Sequence, residues 1–166
     1  MKLLITYSSK TGNTKKLAEG IHKYMEVADC DIKPISEVET LDDYDTILVG
    51  YWVDKGGPNT EAAEFLKTIT GKRVGIFATL GAYPDTQHGW DSLVNGENLI
   101  KENNEVIGKY ICQGKLSEKI ISFFKTLEPG NPHAITPAKL KRYEIAAQHP
   151  NEAEMKSAAI LFKERL

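Results

Sequence analysis

The sequence predicts an open, doubly wound α/β sheet, and three observations carry that prediction. Short apolar runs recur along the chain, at about residues 2–7, 30–35, 45–52, 73–79 and 105–112. Several of them, such as Ile47-Leu48-Val49 and Val74-Gly75-Ile76-Phe77, are nearly continuous rather than alternating, as strands covered on both faces are. Helical patterns fall between the runs, so strand and helix alternate. That order demands parallel strands joined by right-handed crossovers, with helices on both faces.

The elements follow in turn. Leu3-Leu4-Ile5-Thr6-Tyr7 is the first strand. Leu17, Ala18, Ile21, Tyr24 and Met25 share one face of the first helix. After the second strand, residues 36–44 are too short and acidic for a confident helix. Ala62, Phe65, Leu66 and Ile69 line the next helical face, and a helix over about 90–103 is blurred by Gly96. After Gly114 come three helical patterns and no further strand. One covers about 117–127, one starts at Thr136-Pro137, and one starts at Asn151 with Glu154 in capping-box position. Met155, Ala158, Ala159 and Phe162 form the apolar face of the last. Residues 1–166 therefore read as one domain, a core of about 1–115 with a helical tail of about 116–166.

Composition narrows the function. The chain has 166 residues, 41% hydrophobic and 27% charged, a globular mixture able to bury a core. A net charge of −2 argues against nucleic acid or an anionic membrane as the main partner. Its two cysteines, Cys30 and Cys112, lie far apart in apolar runs without companion histidines, which suits buried thiols better than zinc or a disulfide. The opening MKLLITYSS has too short an apolar stretch for a signal peptide, so a cytoplasmic location is expected.

In a parallel sheet every strand ends at the same edge, and ligands bind there at the point where strand order reverses. Three loops at that edge carry unusual residues. The first, Ser8-Ser9-Lys10-Thr11-Gly12-Asn13-Thr14, concentrates hydroxyls, an amide and a glycine at the mouth of a helix. With the free N–H groups of that helix it is suited to a phosphate, although capping alone explains part of the pattern. It is neither a Walker loop nor GxGxxG. The second runs from Gly50 through Tyr51, Trp52, Val53, Asp54 and Lys55 to Gly56, Gly57 and Pro58, an aromatic plane beside a mobile peptide. The third, Thr79-Leu80-Gly81-Ala82-Tyr83-Pro84-Asp85, supplies a second aromatic. A planar ring beside Trp52 and Tyr83, with a phosphate in the first loop, calls for a planar phosphorylated cofactor.

At this point the chain resembles the flavodoxin family. Ser9-Lys10-Thr11-Gly12-Asn13-Thr14 looks like its [ST]-x-T-G-x-T phosphate loop, and the resemblance covers roughly residues 1–115. It implies a five-stranded parallel sheet in the order 2-1-3-4-5 and non-covalent FMN. Carried over, Ser8 to Thr14 would hold the phosphate, while Tyr51, Trp52, Val53, Asp54, Gly56 and Gly57 and the stretch Thr79, Leu80, Gly81, Ala82 and Tyr83 would border the ring. A glycine peptide at Gly56 or Gly57 would turn its carbonyl toward flavin N5, and Asp54 and Asp85 would disfavour a negative charge on the reduced ring. The chain departs from the family in its near-neutral charge and in lacking Gly-x-Gly-Asp-x-x-Tyr in the third loop. Trp52-Val53-Asp54-Lys55-Gly56, the tail and His149-Pro150 look more like a short flavodoxin-like subgroup of anaerobic bacteria, some of which accompany flavin-dependent reductases.

The implied function is an FMN electron carrier, with no catalytic or metal-ligating residues of its own. Its partners would be redox proteins, a flavin-dependent reductase or a ferredoxin-type donor. Two alternatives remain open: an FMN oxidoreductase acting on a quinone or tetrapyrrole-like substrate, and a flavin-free interaction domain. The absence of a dinucleotide fingerprint favours electrons arriving from a protein. His22, His88, His133 and His149 are scattered, and only His88 falls near the ligand edge.

Overall fold

The computed structural model describes residues 1–166. The strands are β1 (Leu3–Tyr7), β2 (Cys30–Pro34), β3 (Thr46–Asp54), β4 (Gly57–Pro58), β5 (Arg73–Leu80) and β6 (Glu105–Gln113). The helices are α1 (Asn13–Met25), α2 (Thr60–Thr68), α3 (Gln87–Glu97), α4 (Glu118–Phe124), α5 (Pro137–Ala146) and α6 (Glu152–Lys163). The sheet order is β2-β1-β3-β5-β6, all parallel, with β4 paired antiparallel to the end of β3. Set aside that two-residue strand, and this is the expected 2-1-3-4-5 order. Chain order reverses between β1 and β3, so the C-terminal ends of those strands frame the predicted ligand edge.

The apolar runs sort into two cores by strand alternation. Leu3, Ile5, Leu48 and Phe77 face α1 and α6, whereas Leu4, Ile47, Val49 and Ile76 face the opposite layer with Ala62 and Leu66 of α2. Both β1 and the middle of β3 are buried throughout, which is why their sequences show no polar alternation.

Three boundaries differ from expectation. β3 continues past Trp52 because Asp54 and Gly57 pair across a tight turn, with Lys55 at φ 50° and Gly56 at φ 79°. Two successive left-handed residues are the geometry of a type I′ hairpin, and glycine tolerates it without a Cβ clash. The second loop is thus largely a short hairpin. α3 starts at Gln87, because Thr86 accepts a hydrogen bond from Gly89 N–H at 3.3 Å, and it ends at Glu97 well before residue 103. The first tail helix is also shorter than expected, Glu118–Phe124 after the Ser117 cap.

The largest difference lies in the tail. α6 is part of the core rather than an addition to it. Ala158, Ala159 and Phe162 are buried beside α1, and the Phe162 ring meets Phe77 edge-on at 6.4 Å. Its start carries the expected capping box, Asn151 accepting from Glu154 N–H while the Glu154 carboxylate accepts from Asn151 N–H. Only residues 115–149, with α4 and α5, stand apart as an excursion. The bond from Lys115 N–H to His149 carbonyl, 3.2 Å, closes its base. Cys112 is buried and Cys30 half-buried, both as free thiols. Burial, with Asp31 and Asp29 nearby, pushes the Cys30 thiol up to about 12. No helix is long and apolar enough to cross a membrane.

Candidate functional site

The first loop turns on Gly12, which sits at φ 95° immediately before α1. A side chain there would be strained, so the glycine sets the tight entry to the helix. Ser9 Oγ accepts from Lys15 N–H at 3.2 Å, and Lys16 N–H donates to Gly12 carbonyl. The amides of Thr11, Gly12, Asn13 and Thr14 find no acceptor within the chain. Those donors, the exposed Thr11 hydroxyl and the positive end of the α1 dipole form a preformed anion cradle.

Other residues of the loop are engaged elsewhere. Ser8 is buried and donates to the Glu61 carboxylate while accepting from Asn59 Nδ2 at 2.8 Å. Thr14 is buried too, its hydroxyl 2.9 Å from that of Thr79. The hydroxyls of these two residues brace the loop, and Thr14 offers the cradle only its amide. Asn13 Nδ2 lies 3.3 Å from Thr11 Oγ1 and donates to Lys115 carbonyl at 2.8 Å.

Beside the cradle opens a solvent-exposed cleft. From the first loop Lys10, Thr11 and Asn13 reach it; from β3, Trp52 and Val53; from the third loop, Thr79, Leu80 and Gly81. Trp52 is half-exposed, and Lys10 Nζ lies 5.4 Å from its ring centroid. The three segments expected to converge do converge. The convergence is incomplete, however. Tyr51 points to the opposite face, fully buried, and its hydroxyl donates to Ser92 carbonyl at 2.9 Å. Burial also raises its phenol well above the usual range. Strand alternation forces this outcome, since neighbours in a strand face opposite sides.

The hairpin tip and the far end of the third loop also lie off the cleft. Asp54, Gly56 and Gly57 do not line it, and the Gly56 carbonyl accepts from Asn95 Nδ2 at 2.8 Å. Ala82 and Tyr83 do not line it either, and Tyr83 is 40% exposed. Of the two aromatics expected at the cleft, only Trp52 lines it.

The wall opposite the hairpin was not anticipated. Gly114, Lys115, Leu116, Ser117 and Ile120 line the cleft. They follow β6, whose end lies on the same sheet edge, so the edge argument applied to the last strand would have found them. Gly81 packs so closely on Leu116 that a Cβ there would come within 2.6 Å of it. Beyond this wall an apolar groove continues between α4 and α5, past Ile121, Leu140 and Tyr143.

The residues present fit a phosphorylated planar group: unpaired amides for the phosphate, an aromatic and an apolar wall for the ring. The family model described as "Flavodoxin domain" matches residues 4–163. The flavodoxin-like domain-containing protein BilS of Clostridioides difficile (strain CD3) is 35% identical over 98% of this chain and 95% of its own length. Among solved structures, oxidised flavodoxin 2 from Bacillus cereus covers all of both chains at 22% identity and a TM-score of 0.61. A Lactobacillus acidophilus flavoprotein solved in complex with FMN covers 66% of this chain and 92% of its own, at 23% identity and a TM-score of 0.53. The chain belongs to the flavodoxin domain family.

Proposed function

We propose that the protein binds FMN without a covalent link and carries electrons between larger redox proteins. The carrying observation is the convergence of Lys10, Thr11 and Asn13 with Trp52 and the Thr79–Gly81 stretch on one cleft, next to loop amides that have no acceptor within the chain. Thr11 and the loop amides would hold the phosphate, and Trp52 would support the ring. Leu116 and Ile120 would exclude water from its other side. When bound, FMN supplies reversible transfer of one or two electrons. The chain contributes position, charge and exclusion of solvent. The cleft's open side leaves a path for electrons to reach a docked protein.

A cytoplasmic setting and a protein donor, a flavin-dependent reductase or ferredoxin-type protein, complete this reading. The experiment is spectroscopic. Protein purified with FMN present should hold it through gel filtration, and the bound flavin should be reduced and reoxidised by protein partners without a small-molecule substrate.

The groove between α4 and α5 favours a second reading, an FMN oxidoreductase with an apolar substrate such as a quinone or tetrapyrrole. It adjoins the cleft through Lys115 and Leu116. Steady-state turnover of such a substrate with NAD(P)H would establish it over the carrier.

A further inference from the structure

The charge at the cleft is one-sided. Lys10 of the first loop and Lys115 of the segment after β6 line it, and no carboxylate does. The acids expected to oppose them are elsewhere. Asp54 sits in the hairpin away from the cleft, Asp85 is exposed at the end of the third loop, and Glu61 accepts from Ser8 beneath the first loop. Lys10 is moreover placed over the indole face of Trp52, at 5.4 Å, rather than turned back to the amides of residues 11–14. Its charge therefore stands beside the aromatic side chain proposed to support the flavin ring.

Reduction of a bound flavin by two electrons adds one proton at N5 and leaves a negative charge spread over N1 and O2. Coulomb attraction to a nearby cation strengthens as the ring and apolar wall displace water. The alternative of stabilising a one-electron state through a turned peptide is opposed here, because the Gly56 carbonyl is already held by Asn95.

Building on the FMN reading above, we infer that Lys10 and Lys115 make this cleft select the reduced, anionic ring over the oxidised one. The bound flavin would then be reduced at a less negative potential than a cleft edged with carboxylates allows.

The test uses the FMN-loaded protein, with dithionite as reductant and dyes of known potential. Lys10→Gln and Lys115→Gln should each lower the preference for reduced over oxidised FMN by about tenfold, which for a two-electron couple is about 30 mV more negative. The double variant should shift further, and the shifts should shrink in high salt. Affinity for reduced FMN should fall about tenfold further than affinity for oxidised FMN in the same variants, since the phosphate charge is common to both states and only the reduced ring is anionic. Equal losses for oxidised and reduced FMN, with the potential unmoved, would place Lys10 on the phosphate and overturn the inference alone. Failure of the wild-type protein to bind FMN in either state would overturn both the inference and the reading on which it rests.

Discussion

The Thr14 and Thr79 hydroxyls meet at 2.9 Å in the buried floor of the cleft. This single bond ties the first turn of α1 to the end of β5, so the phosphate loop and the third loop are positioned as one unit. Thr14→Val would leave the Thr79 hydroxyl buried without its partner, at a cost of about 1–3 kcal/mol. Chemical denaturation should show that loss. FMN affinity should fall less than the stability does, because the Thr14 hydroxyl braces the loop rather than facing the cleft.

Thr11 should behave in the opposite way. Its hydroxyl is exposed at the cradle, so Thr11→Ala should leave stability nearly unchanged. Hydrogen bonds to charged groups are worth about 1.5–3 kcal/mol, so FMN should bind about tenfold or more weakly. Riboflavin, which has no phosphate, should be unaffected. Equilibrium titration with both ligands distinguishes the two residues.

Trp52 is the residue proposed to support the ring. FMN should quench its fluorescence, and Trp52→Ala should cost about 1–3 kcal/mol of binding. Trp90 is 55% exposed on α3 and contributes its own signal, so the titration needs the Trp90→Phe background. An unquenched Trp52 in flavin-loaded protein would remove it from the ring site.

α6 provides a test of the fold. Phe162 is fully buried against Phe77, and Phe162→Ala should destabilise by about 3–5 kcal/mol. A dispensable tail would lose far less. The denaturation midpoint of this variant measures whether the core ends near residue 115 or runs to the last helix.

The acid limb of stability has a defined contributor in Asp31. The Tyr44 hydroxyl donates to its carboxylate at 2.6 Å, and Lys2 lies 3.4 Å away. The Tyr44 bond first, then Lys2, hold its carboxyl below the usual carboxylate value. A depressed folded-state value means stability that is present above about pH 4 and is lost as the pH falls further. Asp31→Asn should therefore be less stable than wild type at neutral pH and converge with it at low pH, as seen in unfolding curves across that range.

The strands were legible because burial on both faces leaves uninterrupted apolar runs, as in Ile47-Leu48-Val49. The caps at Thr136 and Asn151 were legible because their chemistry is local. What escaped depends on long-range geometry. The role of Phe162 appears only once α6 lies beside α1, and the wall from Gly114 to Ile120 only once β6 takes its place beside β5. The facing of Tyr51 away from the cleft follows from Trp52 facing toward it, but register had to be known first. Tyr83 looked like a ring partner because its loop is at the ligand edge, yet the cleft lining from that loop ends at Gly81 and Tyr83 is exposed.

The most direct measurement is a titration of flavin-free protein with FMN and, in parallel, with riboflavin. The cradle of unpaired amides at residues 11–14 has nothing to hold without a phosphate. FMN should bind, and riboflavin should bind about tenfold or more weakly, the loss expected for even one charged hydrogen bond. Equal affinity for the two flavins, or no binding of either, would contradict an FMN site in this cleft.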